Sequence, residues 1–187
     1  MSLSSYLRFI QSRERVLMMS NYEAKIVSQE TKRNIPFPLH GLSQLAHGNE
    51  LPANISLFDV DFAPTAPGAP PHTHEHEDEI YYILEGEVTF LLGDKVETAM
   101  AGSTVILPRG TVHATWNESE QPAKALTIVS QNSKFEFFFD DVVKRIQERG
   151  ITDPMEMGAV VGEAGVDYGV IVDMSKTPDR AKPYFGM

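Results

Sequence analysis

The texture of residues 39–130 constrains this chain more than any other feature. Short runs rich in β-branched and aromatic residues follow one another at 55–62, 80–84, 88–92, 104–107, 112–116 and 125–130, divided by Gly, Pro, Asn and Asp. Brief strands at near-regular spacing do not fit a fold of alternating strands and helices; they predict an antiparallel sandwich or barrel. Ala63 to Pro71 holds four prolines and a glycine and reads as a loop, while Glu85-Gly86 and Gly93-Asp94 read as turns.

After residue 133 the period changes from two to that of a helix. Phe135, Phe138, Phe139, Val142, Val143 and Ile146 share one apolar face, with Ser133 placed to cap it and Gly150 to stop it. A second helix is predicted from an Asp153 cap with Pro154 in the first position and Glu156 in the first turn, ending near Gly162 or Gly165. Tyr168–Val172 reads as a short strand and the last dozen residues as a tail. Ahead of the β-region, residues 4–19 suggest a short helix, 22–28 a strand, and Ile35-Pro36-Phe37-Pro38 extended chain. The expected organisation is therefore an N-terminal extension over 1–38, a barrel over 39–131, and C-terminal helices and tail over 132–187. With 187 residues, one hydrophobic core can sustain it.

Composition narrows the chemistry. The chain has no cysteine, which excludes disulfides, thiolate-bound zinc or iron–sulfur clusters, and a thiol nucleophile. Its net charge of −10 opposes a polyanion, so no nucleic-acid partner is expected. The start lacks the charged and apolar segments of a signal peptide, and no apolar run approaches the ~20 residues that span a bilayer. A cytoplasmic location and no membrane partner are the corresponding expectations. A metal site built from histidine and carboxylate remains open.

Three of the six histidines fall at 72, 74 and 76, within Pro70-Pro71-His72-Thr73-His74-Glu75-His76-Glu77-Asp78-Glu79. In an extended strand, residues i and i+2 point the same way, so His72 and His74 can converge on one ion. Imidazole and carboxylate without thiolate suit Fe, Mn, Ni, Cu or Zn. Further along, Gly102, Pro108, Gly110, His113 and Asn117 stand at the spacing G-x5-P-x-G-x2-H-x3-N. That segment resembles the second cupin motif at each fixed position. His72, His74, Glu79 and Gly86 resemble the first, G-x5-H-x-H-x(3,4)-E-x6-G, with one departure: Ala66 stands where the motif has its leading glycine, and Gly68 comes two residues late.

The resemblance implies a mainly β fold, the double-stranded β-helix or jelly-roll cupin barrel, here followed by C-terminal helices. It implies one divalent transition metal per chain, held by His72, His74, Glu79 and His113. A His74-x-His76 pair would put Ile80 or Tyr81 where the carboxylate belongs, so His76 is assigned to solvent or to the surroundings of the ligands. The parity changes between 74 and 79, which requires a bend or bulge within 75–78; Glu77 and Asp78 are then expected at the surface. With Glu79 inward, Tyr81 and Ile83 follow it inward, and Trp116 packs on the other face. His40 and His47 have no partner at ligand spacing and are expected at the surface, and Arg109 in a solvated turn.

The order of barrel, Phe-rich helix and second helix resembles the single-barrel quercetinase type. It implies a metal-dependent dioxygenase for a small enol or phenolic, flavonol-like substrate, with Glu79 both ligand and proton acceptor. A non-catalytic ligand-binding cupin and a sugar isomerase or epimerase are the alternatives. A homodimer through an apolar outer face with Tyr82, Leu84 and Trp116 is expected. The helix over 135–146 could serve as core or as lid.

Overall fold

The computed structural model describes residues 22–130 and 134–187. The helix expected over 4–19 and the cap expected at Ser133 lie outside them. The strands form two antiparallel sheets. In the first, β1 (Arg33–Ile35), β2 (Gly41–Ala46), β3 (Ser56–Phe62), β11 (Ala123–Ser130), β6 (Asp78–Glu85) and β9 (Thr104–Leu107) lie side by side in that order. In the second, the order is β12 (Val170–Val172), β5 (His72–His74), β10 (His113–Asn117), β7 (Glu87–Leu92) and β8 (Lys95–Met100), with β4 (Ala66–Pro67) also paired to β10. The chain passes back and forth between the sheets, which makes the fold a jelly roll of mainly β structure with two helices after it.

Alternation decides what fills the barrel. Phe58, Val60 and Phe62 of β3, Tyr81 and Ile83 of β6, and Ala125 and Val129 of β11 are buried on the inner face of the first sheet. Val88 and Phe90 of β7 meet them from the second; the rings of Tyr81 and Phe90 touch edge to face at 5.3 Å. The sheets also reach beyond 39–131, since β1 pairs with β2 and β12 with β5. The strand expected over 22–28 is absent: residues 22–28 have no sheet neighbour, and Ile26 is 91% exposed. Its alternation has nothing to pack against.

Helix α1 (Phe135–Arg149) buries Phe135, Phe138, Phe139, Val142 and Ile146 over one end of the barrel. The ring of Phe139 meets Phe58 at 5.3 Å and Phe37 at 5.2 Å. The helix stops at Gly150, whose N–H returns to the carbonyls of Ile146 and Gln147. Helix α2 (Pro154–Asp167) starts where Asp153 accepts from the Glu156 N–H at 3.1 Å. It runs past Gly162 and Gly165, because those glycines face β12 instead of breaking the helix; a Cβ on Gly165 would lie 2.4 Å from the Val170 carbonyl oxygen. Arg145 and Arg149 of α1 pair with Glu163 of α2 and fasten the helices together.

The C-terminal residues are not a loose tail. Two 3-10 turns, Met174–Lys176 and Lys182–Phe185, bring Ala181, Tyr184 and Phe185 onto the outer face of the second sheet. There they cover Leu91, Ala114 and Trp116. Trp116 is fully buried and its indole N–H donates to Glu118 at 2.6 Å, while Glu118 pairs with Arg180. The layer expected from a partner subunit over Trp116 is thus supplied by the same chain. Among the described residues no helix is long and apolar enough to cross a membrane.

Candidate metal centre

Four side chains meet inside the barrel. His72 and His74 flank Thr73 on β5, and their shared face follows from the two-residue period of a strand. His113 opens β10 and is the register partner of His72. Glu79 comes from the opposite sheet, as the second residue of β6. Residues 75–77 carry the chain from one sheet to the other, which is the bend that the change of parity requires. The four residues are buried, and one ligand atom from each lies within 4.8 Å of all the others.

The turn before His113 is clamped to the strand that carries Glu79. The Arg109 guanidinium forks onto Asp78, with Nε at 3.1 Å from Oδ1 and Nη2 at 2.8 Å from Oδ2, and the Arg109 backbone N–H adds a third bond at 2.9 Å. These bonds hold the Asp78 carboxyl down at about 2. Gly110, at a φ of 78°, donates its N–H to the His74 carbonyl at 2.8 Å. The glycine displaced from the first motif has a use of its own: Gly68 runs so close to β10 that a Cβ would lie 2.4 Å from Thr115 Oγ1.

The ring orientations are informative. His72 Nδ1 lies 2.7 Å from the Pro70 carbonyl and His113 Nδ1 lies 2.9 Å from that of Thr111. Each Nδ1 must be the donor, so in the neutral rings each Nε2 carries a lone pair. The Nε2 atoms turn into the cluster: His113 Nε2 is 3.0 Å from Glu79 Oε2, and His72 Nε2 is 3.2 Å from His74 Nε2. Converging ring nitrogens and a carboxylate oxygen at such distances can share a cation. Neighbouring ligands in an octahedron with ~2.1 Å bonds stand ~3.0 Å apart, which agrees with both contacts. The donor set and its spacing fit a divalent transition metal.

Electrostatics agree with that fit. Burial, followed by repulsion from His113 and His74, drives the His72 imidazolium well below its ordinary value, so His72 is neutral. Burial disfavours charge on Glu79, but His74, the hydrogen bond with His113 and His72 outweigh it and hold the carboxyl at about 2. His74 is likewise opposed by burial, yet Glu79 and Glu77 raise it. Burial, followed by the Glu79 charge, pushes the Tyr81 phenol well above its usual value and keeps it protonated.

A cavity of about 60 Å³ adjoins the cluster, with His72 and Glu79 in its wall. Tyr81, Thr127 and His40 add polar groups; the remaining lining includes Phe58, Phe135, Phe138 and Phe139. His40, expected at the surface, instead packs against Phe37 at 5.1 Å and Phe62 at 6.0 Å. Burial lowers it to about 4, against the opposing pull of the Gly41 carbonyl and Asp61. His47 is also engaged, with Nδ1 3.1 Å from the buried Glu136 carboxylate. The expected surface position of Glu77 is wrong as well: it is 1% exposed, and its Oε2 lies 3.5 Å from His74 Nδ1. Its parity with Glu79, two residues on, was the available signal. His76 is exposed as expected, lying over Gly169. Asn117 braces loops through bonds to the Ala63 and Gln121 carbonyls.

The comparisons with known proteins match this architecture. Residues 58–129 match the Cupin domain family profile. The chain is 38% identical over 79 residues to germin-like protein subfamily 2 member 2 of Arabidopsis thaliana, covering 40% of this chain and 36% of that protein. It is also 38% identical over 77 residues to germin-like protein 1-1 of Oryza sativa subsp. japonica, covering 38% and 35%. The chain thus spans about a third of the length of these relatives. Among solved structures, KdgF from Halomonas sp. aligns over 57% of this chain and 94% of its own, with a TM-score of 0.49 and 20% identity. By strand order, by both motifs and by the family match, residues 58–129 of this chain are a cupin domain.

Proposed function

We propose that this protein is a metal-dependent dioxygenase acting on a small enol or phenol. The observation that carries the reading is the cavity itself: His72 and Glu79 of the cluster stand in its wall with Tyr81, Thr127 and His40, and most of the rest is aromatic and aliphatic. A divalent transition metal held by His72, His74, Glu79 and His113 would supply Lewis acidity and a path for electrons to dioxygen. At ~10–15 Å³ per water, the cavity takes roughly four to six waters, the bulk of a single substituted ring.

The protein's own groups have separable tasks. Phe135, Phe138 and Phe139 hold an apolar ring and exclude water. Tyr81, kept protonated, donates a hydrogen bond to a substrate oxygen. Glu79, ionised across the physiological range, accepts the proton of a hydroxyl docked beside it. Its low basicity puts the expected contribution at the lower end for general base catalysis, ~10²-fold. A sugar isomerase is disfavoured because few wall groups could bind several hydroxyls.

The test is metal content and dioxygen uptake on one preparation, with single-ring enols, phenols and flavonols as substrates. Uptake with a single-ring substrate is expected, falling at least ~10²-fold in Glu79→Gln. Full metal occupancy with unchanged turnover would leave Glu79 a ligand only. No uptake by the metal-loaded parent with any of them would favour a non-catalytic binding protein.

A further inference from the structure

We infer that Glu77 is a positioning residue for the metal centre: its carboxylate fixes the His74 ring through Nδ1 and sets how tightly a divalent ion is held. This rests on the reading that His72, His74, Glu79 and His113 bind a metal. Two buried atoms without hydrogen-bond partners carry the inference. Glu77 Oε2 has none and His74 Nδ1 has none, and they face each other at 3.5 Å. A buried carboxylate oxygen left unpaired is costly, so its retention needs a reason that the bare cavity does not supply.

The three histidines are not held alike. His72 and His113 each donate Nδ1–H to a neutral backbone carbonyl. His74 alone has a carboxylate behind it. A cation at Nε2 polarises the ring, makes Nδ1–H a stronger donor and draws it toward the carboxylate behind it. Glu77 thereby adds a second negative charge near the ion, beside that of Glu79, and a +2 charge is balanced by the two. The segment that crosses between the sheets thus holds this carboxylate between two ligands, His74 and Glu79. A mere spacer would leave residue 77 in solvent, as His76 is.

The experiment is a chelator competition with Co2+ on the full chain, read by the visible spectrum, alongside melting of the metal-free protein. The parent should bind one Co2+. Glu77→Gln should bind it about 10–100-fold more weakly, Glu77→Ala at least as weakly, and the His76→Ala control like the parent. Metal-free Glu77→Gln should melt close to the parent, because Gln keeps the size of the side chain and Glu77 Oε2 has no hydrogen bond to lose. Parent affinity in Glu77→Gln overturns the inference while the metal reading stands. A lower melting point of the metal-free variant, matching its loss of affinity, assigns Glu77 to the fold and also overturns it. A parent that binds no Co2+ overturns the metal reading and this inference together. Should Glu77→Gln fail to fold, Glu77→Asp keeps the charge but withdraws it, and must show the same loss.

Discussion

The ring of Phe135 stands against that of His74, with centroids 4.9 Å apart and planes inclined at 67°. The first residue of α1 therefore touches a member of the ligand cluster, and the helix is at once core and roof. Replacing Phe135 by Ala should cost ~3–5 kcal/mol in denaturant unfolding, the range for a large buried ring. Metal should still bind but should be stripped faster by chelator. A stripping rate equal to that of the parent would show that the roof does not control access.

The ligand set has a direct test. The purified chain should hold one divalent metal. His74→Ala and His113→Ala should lose most of it while the β-type circular dichroism persists, and His76→Ala should lose none. If His76→Ala strips the metal and His72→Ala does not, the assignment of ligands is wrong.

His40 predicts a pH dependence of stability. Its folded value of about 4 lies below the ordinary 6.5. Between those limits the unfolded chain binds more protons than the native one, so its contribution strengthens as pH rises through that window and is lost as pH falls. Melting curves from pH 4 to 7 should slope less steeply for His40→Gln than for the parent. Equal slopes would mean that His40 titrates normally.

We propose a twofold dimer through the outer face of the first sheet. With Trp116 covered by its own chain, that face keeps Tyr82, Leu84 and Ile106, the last 69% exposed. Its strands β6 and β9 are neighbours, so the three residues share one surface. Sedimentation at micromolar concentration should show a dimer, and Ile106→Asp should weaken it more than tenfold, since burying such a side chain is worth ~1.5–3 kcal/mol. A monomeric parent would refute the proposal.

What the sequence made legible is uneven for physical reasons. β6, β9 and β11 alternate because one face packs on the core, β7 is an apolar run buried on both faces, and all four match the expected runs within a few residues. β8 was missed because Lys95, Glu97 and Thr98 make it a polar edge strand with little buried side. β2 was missed because Ser43 and Gln44 are polar yet buried, so its pattern carries no hydrophobic period. The clustering of His72, His74, Glu79 and His113 was legible because motif spacing encodes it. Glu77 was not, since an acidic run looks solvated until the crossing between sheets is known. His40 was missed because its partners, Phe37 and Phe62, meet it only in three dimensions.

Trp116 is the only tryptophan in the chain, and it sits on β10, three residues from His113. Its indole nevertheless faces away from the cavity, under Ala181, Tyr184 and Phe185. Intrinsic fluorescence of this protein therefore reports on whether its last residues are seated. A red shift would signal a released C-terminus, even with the barrel interior undisturbed. A ligand entering the cavity would leave the emission unchanged unless it worked the C-terminal segment loose.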